Sequence, residues 1–521
     1  MVRGTSRAGL HGPLGLLDTA KVSPVSDGRY AELRDRLAEL WDLVKLGGLA
    51  GWDQQTMMPP QGGPVRAHQF ATISKIVHEQ VVSEELGGLL EELRPYEESL
   101  DYDSDEASLI RVSRRDREKE VNVPVELREA QARASAEAFP VWVEARRTND
   151  FGLFRPYLER NVELRREYAS CFEVDEPYDA LLDDFEPGMK TAEVREVFAR
   201  LRDGLVPLIA EASEQGIDDS FLRRGPFPVA AQQELDRILL GRYGFREGTW
   251  RIDPVEHPFA ASMATDDIRM TTRWPEHEFS GVFAAMHEGG HAIYEHNVSQ
   301  TLERTPLCRG ASLALHESQS RMFENLVGRS RAWWSWAYPE VQRLFPQLAD
   351  VELDDFHRAI NKVQPSLIRI EADEATYSLH IILRFELEQE LIAGSVAVAD
   401  LPHVWNERMQ EYLGIEVPDD AHGVLQDVHW SRGTIGYFPT YALGNVISVQ
   451  IWERVLEDVP DLEDHIGRGD LAPLADWLRE RLWRHGRKFT PQEMLERAVG
   501  GGLDPEPYLS YLNGKLGALA A

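Results

Sequence analysis

The chain has 521 residues, 88 acidic against 56 basic side chains, a formal net charge of −32 and 43% hydrophobic residues. That length and apolar share supply a large core, while the acidic surplus excludes a nucleic-acid binder, which needs clustered Lys and Arg to neutralise phosphates. Only eight of the basic residues are Lys, an acid-rich, lysine-poor balance that suits concentrated salt, where self-repulsion is screened, and equally suits a genome that favours Arg codons.

Residues 1–25 include Arg3 and Arg7, but Ala8 to Ala20 is interrupted by His, Gly, Pro and Asp. The segment therefore lacks the continuous apolar run of a signal peptide and reads as a flexible arm ahead of a single helical domain over 26–521. Ser26-Asp27 is a cap signal for a helix from Tyr30 to Leu46, and Glu97 to Asp105 reads as an acidic surface loop. Further helices are expected over Glu126 to Arg147 after Pro124, Val194 to Glu214 after Thr191, and Tyr377 to Ile392 after Asp373. Arg269 to Trp274 is the best strand signal, expected as a short exposed strand able to pair with an extended peptide. No stretch of 18 apolar residues exists to span a membrane. Two cysteines, Cys171 and Cys308, form neither a disulfide framework nor a C-x-x-C site, which points to a reducing cytoplasm.

The chemistry concentrates at His287-Glu288-Gly289-Gly290-His291. Phe279, Val282, Phe283, Met286 and Ile293 recur at helical spacing, so a helix is expected from about Phe279 to Glu295. On it His287 and His291 converge on one face and Glu288 projects about 100° away, beside a metal rather than on it. Gly289 and Gly290 each cost about 1 kcal/mol relative to Ala in mid-helix, so another backbone or a substrate must come very close there.

Catalytic zinc normally takes three protein ligands. Residues 311–326 form a second helical pattern carrying Glu317, 26 positions beyond His291, and the Val298 to Gly310 connection with Pro306 and Gly310 lets that helix fold back over the first. Glu317 is the expected third ligand and His316 the alternative; adjacent residues face different ways, so both cannot bind one ion. Without the motif, Glu317 reads as an ordinary acid paired with Arg321 at i+4.

Around this core stand His257-Pro258-Phe259, Asp267-Ile-Arg269-Met-Thr271, His316-Glu317-Ser318-Gln319, Ile368-Arg369-Ile-Glu-Ala372-Asp373 and Gly423-Val-Leu-Gln426-Asp427-Val-His429-Trp430. In that order they resemble the M32 family of metallocarboxypeptidases, the carboxypeptidase Taq group, from about residue 27 to the C-terminus. Trp52-Asp53-Gln-Gln-Thr56-Met-Met-Pro59 and Tyr178-Asp179-Ala-Leu-Leu-Asp183 also look like family segments.

The resemblance implies a mainly α, gluzincin, neurolysin-like zinc-peptidase fold with a deep central groove and a small β element beside the active site. It implies one Zn2+ per chain at His287, His291 and Glu317, with Co2+ or Mn2+ as substitutes, and Glu288 as general base. His429, Tyr437 and Tyr441 are the candidate donors to the oxyanion, His429 and Tyr437 preferred. A carboxypeptidase must also grip a free terminal carboxylate, which suits a guanidinium with two parallel donors. The resemblance puts Arg369 in that role, with His257, Arg269 and Tyr441 as further substrate contacts and Arg432 as a possible helper. The expected function is broad-specificity removal of C-terminal residues from peptides by a homodimer that binds neither nucleic acid nor membrane.

Overall fold

The computed structural model describes residues 24–520. The expectation of a flexible arm therefore lies outside the described residues over 1–23, while Pro24 and Val25 already belong to a first helix, Pro24–Thr56. Helices dominate the rest, and their positions follow the periodicity closely. Those expected over 126–147, 194–214 and 377–392 are Val125–Thr148, Thr191–Ala212 and Tyr377–Ala393. The first is longer than expected because Gly47, Gly48 and Gly51 do not break it. Among the described residues no helix is long and apolar enough to cross a membrane.

The acidic run over 97–105 is only partly a loop. Glu97 to Ser99 end a short helix, Ser104 accepts a hydrogen bond from Ala107 N as the cap of the next helix, Asp105–Asn122, and Asp103 and Asp105 pair with Arg497 and Lys488. The carboxylates thus tie this turn to the C-terminal helices rather than facing water alone.

The strand expected over 269–274 exists as β3, Asp267–Thr272, but it is neither exposed nor at an edge. It lies between β1, Trp250–Pro254, paired parallel with Trp250 opposite Ile268, and β2, Ala260–Ala264, paired antiparallel with Ala260 opposite Met270. Ile268, Met270, Thr271 and Thr272 are buried. With both edges of β3 taken, its backbone has no room for a peptide, and the expectation of strand addition there is corrected. On β2, the Ser262 carbonyl accepts from Lys45 Nζ of the first helix at 2.7 Å. Thr271 Oγ1 exchanges two 2.8 Å hydrogen bonds with the backbone of Phe259, so the His-Pro-Phe and Asp-x-Arg-x-Thr segments fasten one another. The sheet lies against the helix Gly281–His296.

Candidate metal centre

The motif helix runs from Gly281 to His296 with Ser280 and Asn297 flanking it. The expected second helix starts at Leu313, where Ser312 Oγ accepts from Leu315 N, and changes at Met322 into a π-helical turn through Val327. Two glycines let this segment approach its neighbours. A Cβ at Gly290 would lie 2.5 Å from the Gln319 carbonyl oxygen and 2.6 Å from Ser320 Cα; one at Gly444, on the helix Pro439–Asp458, would lie 2.5 Å from Glu317 Cγ. The close approach anticipated at Gly290 is that of another backbone. Gly289 faces Leu240 and Tyr243 instead.

The packing brings His287, His291 and Glu317 together, with one donor atom from each within 4.8 Å of the others. Glu317 Oε2 lies 3.4 Å from His291 Nε2 and 3.8 Å from His287 Nε2. Ligands about 2.0–2.2 Å from a tetrahedral ion stand roughly 3.3–3.5 Å apart, so the spacing admits one ion with little adjustment.

The imidazoles are held through their other nitrogens. His287 Nδ1 donates to Glu324 Oε2 at 2.9 Å. His316, the alternative ligand, supports instead: its Nε2 donates to Glu295 Oε1 at 2.9 Å, which leaves its Nδ1 to accept from His291 Nδ1 at 2.6 Å. The imidazoles of His287 and His291 are thus each placed to turn an Nε2 lone pair toward Glu317, as metal-bound histidines require. Burial pushes the His291 imidazole down to about 4, keeping it neutral. The i+4 ion pair is present too: Arg321 Nε donates to Glu317 Oε1 at 2.8 Å and leaves Oε2 for the imidazoles. Burial would raise Glu317, yet Arg321 and the two histidines hold it well below the usual carboxylate range.

Glu288 is 6% exposed, and its Oε2 has no hydrogen-bond partner among the described residues. Burial first, then the nearby Glu317 and Glu324, push its carboxyl up to about 7. A buried carboxylate oxygen with no protein partner, beside three converging ligand atoms, suits a site built to hold a metal and its water. The donor set fits a divalent ion.

A second cluster adjoins the first. Arg369 is in a short 3-10 turn, not a helix, and is 5% exposed. Its Nε and Nη2 reach Asp427 Oδ1 at 3.1 and 2.8 Å and its Nη1 donates to Tyr377 Oη at 2.8 Å. Three of its five N–H groups are thus taken and two remain. Arg384, fully buried, holds Asp427 Oδ2 and Gln426. Tyr377 also lies under Arg321, 4.1 Å from ring centre to Cζ, which joins the Arg369 group to the Glu317 group.

Tyr441 sits 5.0 Å from the Arg369 guanidinium and its hydroxyl is 3.4 Å from His429 Nε2. Tyr437 packs 5.4 Å from His429 and 5.2 Å from Tyr441. Burial pushes His429 down to about 4 and, with Glu317 nearby, Tyr437 up to about 12, so both are neutral donors at pH 7.

The other expected contacts are not drawn in by any observed interaction. Arg269 closes on Asp267 at 2.8 and 2.9 Å and stacks on Trp52; Arg432 lies over Phe139; His257 is exposed between β1 and β2. Glu388 went unnoticed in the sequence. Its buried carboxylate accepts from Tyr178 Oη, Trp430 Nε1 and Gly436 N at 2.7 to 2.9 Å, gripping both ends of the turn that presents His429 and Tyr437. Tyr377 and Arg384 carry no sequence signal for the site either, since only the folded chain brings them in.

The Carboxypeptidase Taq (M32) metallopeptidase family model matches residues 32–516. Thermostable carboxypeptidase 1 of Thermus thermophilus is 40% identical over 95% of this chain and 99% of its own length, and carboxypeptidase 1 of Bacillus subtilis 37% over 93% and 97%. The crystal structure of the M32 carboxypeptidase from Deinococcus radiodurans R1 superposes with a TM-score of 0.92 at 39% identity, covering 95% of this chain and all of that one. The chain belongs to the M32 family of metallopeptidases and is a metallocarboxypeptidase, a hydrolase of peptide bonds.

Proposed function

We propose that the protein is a zinc-dependent carboxypeptidase that removes C-terminal residues from peptides with broad specificity, with Co2+ or Mn2+ able to replace zinc. The observation that carries this reading is the convergence of His287, His291 and Glu317 beside the unpartnered Glu288. An ion bound by the three supplies Lewis-acid chemistry, polarising the scissile carbonyl and acidifying water.

Glu288 takes the proton of the attacking water, for which a carboxyl near 7 is well matched, and delivers it to the leaving amine nitrogen. Tyr437 O–H and His429 N–H, both neutral, donate to the oxygen that gains charge. Arg369 holds the terminal carboxylate with its two remaining N–H groups, and Asp427 and Tyr377 keep its plane fixed. Tyr441 lines that end of the site. Arg269 and His257 belong to this reading only as outer contacts, because Arg269 is already committed to Asp267. A homodimer is proposed from the family likeness, and a reducing cytoplasm from the free Cys171 and the buried Cys308.

One peptide prepared acetylated at its N-terminus, amidated at its C-terminus and free, digested by the zinc-loaded protein and read by mass spectrometry, tests the reading. Stepwise loss from the free and acetylated forms only is expected. Internal cleavage of all three would make it an oligopeptidase; retained metal without cleavage would make it a non-catalytic metal binder.

A further inference from the structure

A cavity of about 740 Å³ opens between the helices Gly63–Val81, Asp105–Asn122, Val125–Thr148 and Phe151–Ala169 on one side and Asp183, Asp184, Arg309 and Arg487 on the other. Its walls carry four carboxylates, and each is paired. Asp116 takes both Nη of Arg487, Glu120 takes Arg128 at 2.9 Å, Asp183 takes Arg115 and Lys119, and Asp184 takes Lys119 at 2.6 Å. Two further cations have no carboxylate within ion-pair distance among the described residues, Arg165 and Arg309. Arg165 gives only its Nε, to the Gly433 carbonyl. The Arg309 side chain makes no hydrogen bond there, and its exposed surface faces the cavity. Surrounding protein still crowds it enough to push its pKa down to about 10. In a chain of net charge −32, two guanidinium groups left without a carboxylate in one half-open cavity offer an outside anion a pair of charged donors.

Both cations are linked to the supports of the metal centre through their neighbours. Gly433 lies between His429 and Tyr437, and Gly310, next to Arg309, donates its N–H to Glu295, the partner of His316. Phe185, next to Asp184, packs on Tyr437 at 5.1 Å. A peptide whose C-terminal end reacts at the centre must send its preceding residues away from it, and this half-open cavity, linked to the centre through those contacts, offers them space.

We propose that Arg165 and Arg309 bind the side-chain carboxylate of an acidic residue upstream of the scissile bond, so that the enzyme favours Glu or Asp at one or two such positions. The proposal rests on the carboxypeptidase reading for its substrate, and its test separates the two. A peptide series with a free C-terminus carries one Glu or one Gln at each of the four positions preceding the C-terminal residue. Hydrolysis is followed with the zinc-loaded enzyme, and binding is measured by calorimetry on Glu288→Gln protein, which needs no turnover. Preference for Glu of about fivefold or more, through KM and binding rather than kcat, is expected at one or two positions. It should shrink in Arg309→Gln and fall below about twofold in Arg165→Gln/Arg309→Gln, with the Gln peptides as reference and thermal melting as the check on folding. Equal binding of Glu and Gln peptides at every position, or a preference that survives the double variant, overturns the proposal. Glu-selective binding without hydrolysis of any peptide would leave the anion site standing and remove the carboxypeptidase reading instead.

Discussion

Adding one methyl group at Gly290 pushes directly on the contact that brings Glu317 to the histidines. In Gly290→Ala the new Cβ would sit 2.5 Å from the Gln319 carbonyl oxygen, about 0.9 Å inside the 3.4 Å at which ordinary contact begins, and the opposing atoms are backbone. The Glu317 helix cannot simply retreat, because Gly444 already lets the helix behind it approach so closely that a Cβ there would lie 2.5 Å from Glu317 Cγ. Helix propensity alone would make Gly290→Ala more stable by about 1 kcal/mol; overpacking costs roughly 1–3 kcal/mol. A net loss of up to about 2 kcal/mol follows. The same push moves Glu317 Oε2 from its present 3.4 and 3.8 Å spacing to the imidazoles, so zinc affinity should fall about tenfold or more. Urea denaturation of the metal-free protein and competition titration with a zinc chelator read the two effects separately. A variant that gains stability and binds zinc as tightly as the parent would refute the packing argument.

Glu288→Gln should bind zinc like the parent and lose about 10²–10⁴ in kcat, checked by metal analysis and peptide hydrolysis; an active variant would remove the general-base role. Arg369→Ala should raise KM for peptides with a free C-terminus far more than it alters any action on amidated ones, in paired kinetic assays. Asp236 is fully buried, with Trp274 Nε1 donating at 2.7 Å, and burial pushes its pKa up to about 7. A carboxyl raised in the fold favours folding below its unfolded value near 3.9 and progressively loses that advantage up to about 7, so Asp236→Asn should gain on the parent by a few kcal/mol between pH 4 and 7, with no further gain above; a constant difference in urea midpoints across that range would count against it. With a net charge of −32, the melting temperature should rise from low salt to molar KCl, and a flat response would end the idea of salt adaptation.

What was legible in the sequence was what neighbours along the chain determine. His287, Glu288 and His291 share one helix, and Glu317 lies on a helix long enough to show its own period. The Gly289-Gly290 pair announced a close approach because nothing within a helix explains two glycines. β2 was not legible: Ala-Ala-Ser-Met-Ala has no alternation and weak strand propensity, and without its partners β3 looked like a free edge. The supporting groups were hidden for a different reason. Glu388 and Arg384 are ordinary helix residues until tertiary packing buries them, and Arg165 and Arg309 meet only across the folded cavity.

The proposed chemistry depends on three side chains sharing one ion. In crystals of the zinc-loaded protein, anomalous scattering at the zinc edge should give a single strong peak per chain about 2.0–2.2 Å from His287 Nε2, His291 Nε2 and a Glu317 carboxylate oxygen. A peak elsewhere, or one that leaves Glu317 bonded to Arg321 alone, would contradict it.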